Sequence, residues 1–194
     1  MLPRAEFVHW WFATGFLIVG LLLLSEAIVG EAVWRSRAWR AYLWPSFLFL
    51  MGVLMWPVMV FYTNSAIHML AHGAWAQAMM FAGAAELGLV RGKLTSPWWR
   101  LAMALAFVVS GSAFLVHEQN AWFFQRSSFL HHLMGWTLLV GAVIPLARCV
   151  RPRSTAFGSA FAVTFLVLAV MLYCDRDLAP IFGHLSPVAG VPHR

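Results

Sequence analysis

Residues 10–30 read WWFATGFLIVGLLLLSEAIVG, a stretch whose one ionisable side chain is Glu26. A helix needs ~20 apolar residues to cross a ~30 Å hydrocarbon layer, and this stretch has that length and that composition. Working outward, five more stretches of the same kind follow at residues 42–62, 67–90, 101–119, 129–147 and 155–174. Six apolar stretches with short links predict an all-α, polytopic membrane protein: one six-helix transmembrane bundle over residues 1–194, with residues 175–194 as a short outer tail. The whole chain agrees, being 62% apolar and 10% charged with a mean hydropathy of +0.77. The lipid bilayer is its first partner.

Charge gives the bundle a direction. The links after the first, third and fifth stretches carry Arg35, Arg37 and Arg40, then Arg91, Lys93 and Arg100, then Arg148, Arg151 and Arg153. Arg4, Arg126, Arg176 and Arg194 are the cations of the other side. Basic residues accumulate on the cytoplasmic side, so both termini are expected on the outer, periplasmic face. Arg4, the apolar run to Leu24 and Ser25-Glu26-Ala27 also resemble a secretory leader. Cleavage there would place the Arg35–Arg40 cluster outside, against the bias of the other stretches, so the segment is expected to remain as a span.

The net charge of +6 and pI near 10.4 need no polyanionic partner once most cations are topology signals, and nucleic-acid binding is not expected. Cys149 and Cys174 fall at opposite ends of their stretches, too far apart for a disulfide. No haem-attachment, zinc-ribbon, phosphate-loop or nucleophile-elbow motif occurs. Rows of small residues, Ala74, Ala78 and Ala82, then Ala102, Ala106 and Ser110, predict close helix packing in lipid. Pro57 predicts a kink that frees the Val53 carbonyl. Trp10, Trp11, Trp34, Trp39, Tyr42, Trp98, Trp99 and Trp122 read as interfacial belts.

The chemistry sits in the histidines. With this topology His9, His68, His72, His117, His131, His132, His184 and His193 all fall at or near the outer leaflet. His68 and His72 are four residues apart, on adjacent turns of one helical face. His117 and Glu118 end the fourth stretch, and His131 and His132 open the fifth, at comparable depth. Imidazole is the commonest metal ligand, and polar groups at this depth are costly without a partner. His68, His72, His117, His131 and His132 are therefore the expected metal ligands, with Glu118 orienting a ring or accepting its N–H. Met51, Met55 and Met59 form a soft thioether row suited to Cu(I), and Met59 is the one placed to reach the histidine layer. Farther in, Glu86 shares a face with His68, His72, Trp75, Met79 and Gly83, and Glu26 reaches similar depth. They are candidates for a proton path, or for pairing with inner arginines such as Arg91.

Two other chemistries compete for these residues. A b-type haem could be clamped by His72 and His132, the alternative cofactor. A di-iron hydroxylase would need a histidine at position 128, which is Ser128.

Trp44-Pro45, His68-Met69-x-x-His72, Phe114-x-x-His117-Glu118-Gln119 and Leu130-His131-His132 together resemble the membrane part of copper-resistance D-type proteins, over roughly residues 42–150. That resemblance implies a bacterial inner-membrane location and copper handling. The expectation is thus a metal-binding membrane protein, copper foremost, serving transport, delivery or tolerance rather than catalysis. An electron-carrying cytochrome, or an accessory subunit of a larger membrane complex, are the alternatives. A periplasmic metal or electron carrier, or other membrane subunits, are the expected partners.

Overall fold

The computed structural model describes residues 5–62, 66–116 and 126–175. Those residues are helical throughout, apart from short turns, with no strand among them. The first stretch forms α1 (Ala5–Val29), and Gly30 ends it with a φ of +91°, its N–H donating to the Glu26 carbonyl. Only glycine takes that left-handed backbone without cost. Two short helices follow, α2 (Glu31–Arg35) and α3 (Ala38–Ala41). They belong to a link that the sequence pattern had left irregular. Next come α4 (Leu43–Tyr62), which runs on through Pro57, and α5 (Ala66–Val90). Gly92, at φ +67°, closes α5 as its left-handed cap.

A 3₁₀ turn (Pro97–Arg100), capped by the Ser96 hydroxyl, leads into α6 (Leu101–Val116). The fifth stretch is two helices meeting at Ala142, α7 (Arg126–Gly141) and α8 (Val143–Val150). The last, α9 (Thr155–Cys174), has the limits its apolar run predicts.

Among the described residues, five segments are long and apolar enough to cross a membrane: Phe7–Val29, Ala38–Val60, Pro97–Val116, Ser128–Val150 and Thr155–Cys174. α5 has the length, 25 residues, but not the same apolarity. His68, His72, Gln77 and Glu86 and its glycines dilute it. Of these, Glu86 is buried and His72 half-buried where α5 packs against α4 and α6, beside Ala71, Trp75, Ala78, Met79 and Ala82, whereas Gln77 is exposed.

The long helices close into a ring in the order α1, α4, α5, α6, α7, α9, with α9 returning to pack along α1. The α1–α9 pair is antiparallel: Ala27 meets Gly158, Gly20 meets Leu166, and His9 meets Asp175. Aromatic side chains fill the interior. Phe161 and Phe165 of α9 stack edge to face at 5.3 Å, with Phe107 5.8 and 5.7 Å away and Trp44 6.2 Å from Phe161. Such offset and T-shaped arrangements are the preferred ones for aromatic quadrupoles.

Leu21, Ile28, Leu50, Val60, Phe81, Leu105, Trp136, Val140 and Val170 are exposed on the outside of the bundle. An apolar exterior around a filled interior is what a lipid solvent favours.

Glycine allows the hairpins to close. A Cβ on Gly52 would lie 2.7 Å from the Ala76 carbonyl oxygen, and one on Gly83 2.9 Å from that of Pro45, so α4 and α5 touch backbone to backbone. Gly111 and Gly135 do the same for α6 and α7, each facing the other's carbonyl. Where lipid removes the hydrophobic drive between helices, this close approach supplies the packing. In the alanine row of α5, Ala78 and Ala82 are buried.

Candidate metal centre

At the end of the bundle where α1 and α7 begin and α9 finishes, three side chains converge. His9 lies in the second turn of α1, His131 in the second turn of α7, and Asp175 caps the C-terminus of α9. The antiparallel α1–α9 packing holds two of them, pinned by bonds from Trp10 Nε1 to the Tyr173 carbonyl (3.2 Å) and between Thr14 Oγ1 and the Tyr173 hydroxyl (2.7 Å). The α7–α9 contact brings in the third.

Asp175 Oδ2 is 3.2 Å from His9 Nδ1 and 3.2 Å from His131 Nε2. The two rings are nearly perpendicular, with centroids 5.9 Å apart. Asp175 and His131 are fully buried, while His9 keeps 22% of its side chain exposed. Among the described residues this is the one set of three histidine, cysteine or acidic side chains whose ligand atoms lie within 4.8 Å of one another.

Of the expected ligands, the structure thus places His131 in the cluster, together with His9 and Asp175. His132 turns elsewhere: neighbours in a helix point ~100° apart, and its Nδ1 donates to the Ser128 carbonyl at 2.8 Å. A carbonyl can only accept, so that bond places a proton on Nδ1. His72 packs on Trp75 (5.2 Å), Trp75 on Phe114 (4.4 Å) and Phe114 on His131 (5.5 Å), so an aromatic file joins His72 to the cluster. Trp75 is held by its Nε1 donating to the Ser110 carbonyl. Met59 lays its thioether over Gly73, the residue after His72, whereas Met51 covers Gly15 and is core packing together with Met55. The side chain of His68 and all of His117, Glu118, His184 and His193 lie outside the described residues.

Sequence reasoning passed over Asp175, and it placed His9 in the outer histidine layer without counting it among the ligands. Asp175 is an acidic residue directly after an apolar run, and His9 sits just before another. Each is a lone residue on a terminal helix, and no spacing rule links them.

Glu26 and Glu86 are both buried, at the opposite end of the bundle, where the three basic connections meet. Glu26 accepts from Arg35 Nε (3.1 Å) and from Trp44 Nε1 (3.0 Å). Glu31 pairs with Arg35 (3.1 Å) and Arg100 (3.8 Å), and Glu86 lies 4.0 Å from Arg100 Nε. Arg91, the neighbour suggested by spacing, is exposed. The partner of Glu86 is Arg100, carried in by the 3₁₀ turn before α6.

No family model, curated protein or solved structure matches the chain.

Proposed function

We propose that the protein spans the bacterial inner membrane six times, with α5 as the sixth span. In this reading it holds a divalent transition metal, copper foremost, between His9, His131 and Asp175 at its outer end. One observation carries this: two imidazole nitrogens each stand 3.2 Å from the same buried carboxylate oxygen. An ion bonded at ~2.1 Å to two atoms that far apart subtends about 100° between them, within the range of tetrahedral and octahedral sites.

Two imidazoles and a carboxylate suit borderline divalent ions, and among these copper binds most tightly. Three protein ligands leave positions open for exchange, and the partly exposed His9 is the gate. The role is holding and passing on the ion, to a periplasmic carrier or another membrane subunit, rather than catalysis. His72 and Met59, at the far end of the aromatic file, are a second stop for the softer Cu(I). The resemblance to copper-resistance D-type proteins points the same way.

Elemental analysis of protein purified from its native membrane tests the centre. The expected result is about one copper, or another divalent first-row ion, per chain, with no Soret band. A Soret band with a sharp reduced α-band would replace this reading with haem b on His72 and His132.

The orientation has its own test. Single cysteines at Arg37, Lys93 or Arg151, in a chain with Cys149 and Cys174 replaced, should resist an impermeant thiol reagent in intact cells. Labelling of two of the three would invert the topology and put the metal centre at the cytoplasmic end.

A further inference from the structure

Among the described residues Arg148 is the buried cation that the ion pairs leave over. It is 6% exposed, and its guanidinium carbon sits 5.0 Å from the centre of the Phe161 ring. Its Nε makes no hydrogen bond, and no carboxylate stands within ion-pair reach of it, among the described residues. Glu86, beyond ion-pair reach, is the acid that attracts it most. A buried cation without a close counter-charge is expensive, and deep in a membrane protein it marks a place where an anion belongs.

The surroundings of Arg148 fit a particular anion. It lines a cleft of about 540 Å³ between α1–α2 and the α8–α9 turn, shared with Glu26, Glu31, Arg35, Arg153 and Ser154. The carboxylates in that wall are already committed, Glu26 to Arg35 and Trp44, Glu31 to Arg35 and Arg100. Arg153, exposed, and Arg148 are the cations still available. α9 begins in the same wall, and the Ser154 hydroxyl accepts only the Phe157 N–H, so other first-turn N–H groups add donors for an anion. The rest of the wall is apolar, with Leu23, Ala27 and Val33, and Ile28 and Val29 lie exposed on the same helix end.

We propose that this cleft seats the phosphate of an anionic phospholipid headgroup between Arg148 and Arg153, with the acyl chains along the apolar wall of α1. Guanidinium matches phosphate in charge and geometry, and basic pockets between helices at a cytoplasmic end are suited to such headgroups. Free phosphate shares the polar half of this chemistry but gains nothing from the apolar half. The site is independent of the outer metal centre. Only the assignment of the leaflet rests on the topology proposed above.

The experiment uses the full chain, stripped of lipid in neutral detergent and reconstituted into vesicles of phosphatidylcholine with rising fractions of phosphatidylglycerol. The thermal unfolding midpoint is followed by tryptophan fluorescence. The midpoint should rise with phosphatidylglycerol and saturate. Arg148→Gln and Arg153→Gln should each need about tenfold more of it, while Lys93→Gln, a cation of the same face outside the cleft, should respond like the wild type. If Arg148→Gln does not fold, Arg153→Gln, at an exposed position, decides alone. A wild type indifferent to phosphatidylglycerol, or cleft variants that respond as it does, would overturn the proposal. The same rise with inorganic phosphate in phosphatidylcholine vesicles would overturn the lipid assignment in favour of a free anion.

Discussion

If the proposed centre holds a metal, Asp175→Ala is expected to abolish its binding and to destabilise the bundle at the same time. The carboxylate is fully buried between two imidazoles. Losing even an orienting partner of a metal ligand costs roughly 10–100-fold in affinity, so losing a direct ligand should exceed about a hundredfold. Removing one member of a buried, charge-coupled group costs about 3–5 kcal/mol of stability. His9→Ala separates the two effects: it should lose the metal comparably but cost less stability, because His9 is partly open to solvent. Copper content by elemental analysis, read beside the thermal midpoint of each variant, makes the comparison. Stoichiometric metal in Asp175→Ala would place the site elsewhere.

Gly111→Leu should have the largest effect on folding itself. A Cβ there already lies 2.8 Å from the Gly135 carbonyl oxygen, 2.9 Å from Leu139 Cγ and 3.2 Å from Leu138 Cβ. Overpacking of this kind costs about 1–3 kcal/mol, and a branched side chain against backbone should sit at or beyond the upper end. Because α6 and α7 must separate to admit it, the second turn of α7, which holds His131, should shift as well. Gly158→Ala, on α9, is the matching control. Its Cβ would meet Ala27 Cβ at 3.4 Å, an ordinary contact. A helical glycine replaced by alanine gains up to about 1 kcal/mol, so this variant should be neutral or more stable. Thermal midpoints in one detergent compare the two; equal behaviour would mean that the α6–α7 approach does not govern stability.

The apolar runs carried most of the helical pattern, because length and hydropathy are local properties. The limits of α9 and the tight α4–α5 and α6–α7 pairings could be read directly. The first break, after Gly30, and the restart at Tyr42 could be read as well; the short helices α2 and α3 between them and the break at Ala142 could not, and α2 is held by Arg35 reaching back to Glu26 and by Arg100 on Glu31.

The site was legible only as a layer. Clustered spacings such as His68-x3-His72 and His131-His132 drew the expectation toward α5 and α7. Yet adjacent residues of a helix cannot share one inward direction, and only His131 faces the core while His132 turns back to Ser128. The remaining members of the cluster come from the first and last helices, and their meeting depends on ring closure. Nothing in a local pattern announces that α9 folds back onto α1.

That closure has a consequence for how the protein is made. Trp10 and Tyr173 bond across 163 positions of chain, so α1 waits through the synthesis of all the helices between before it finds its mate. Contacts this distant in sequence form late. Until then His9 has no carboxylate and the ring stands open on one side, with α1 and α7 lacking the wall that α9 provides. A nascent chain halted before α9 would therefore lack the proposed metal centre. On that proposal, metal occupancy in a cell would report that biogenesis has run to completion.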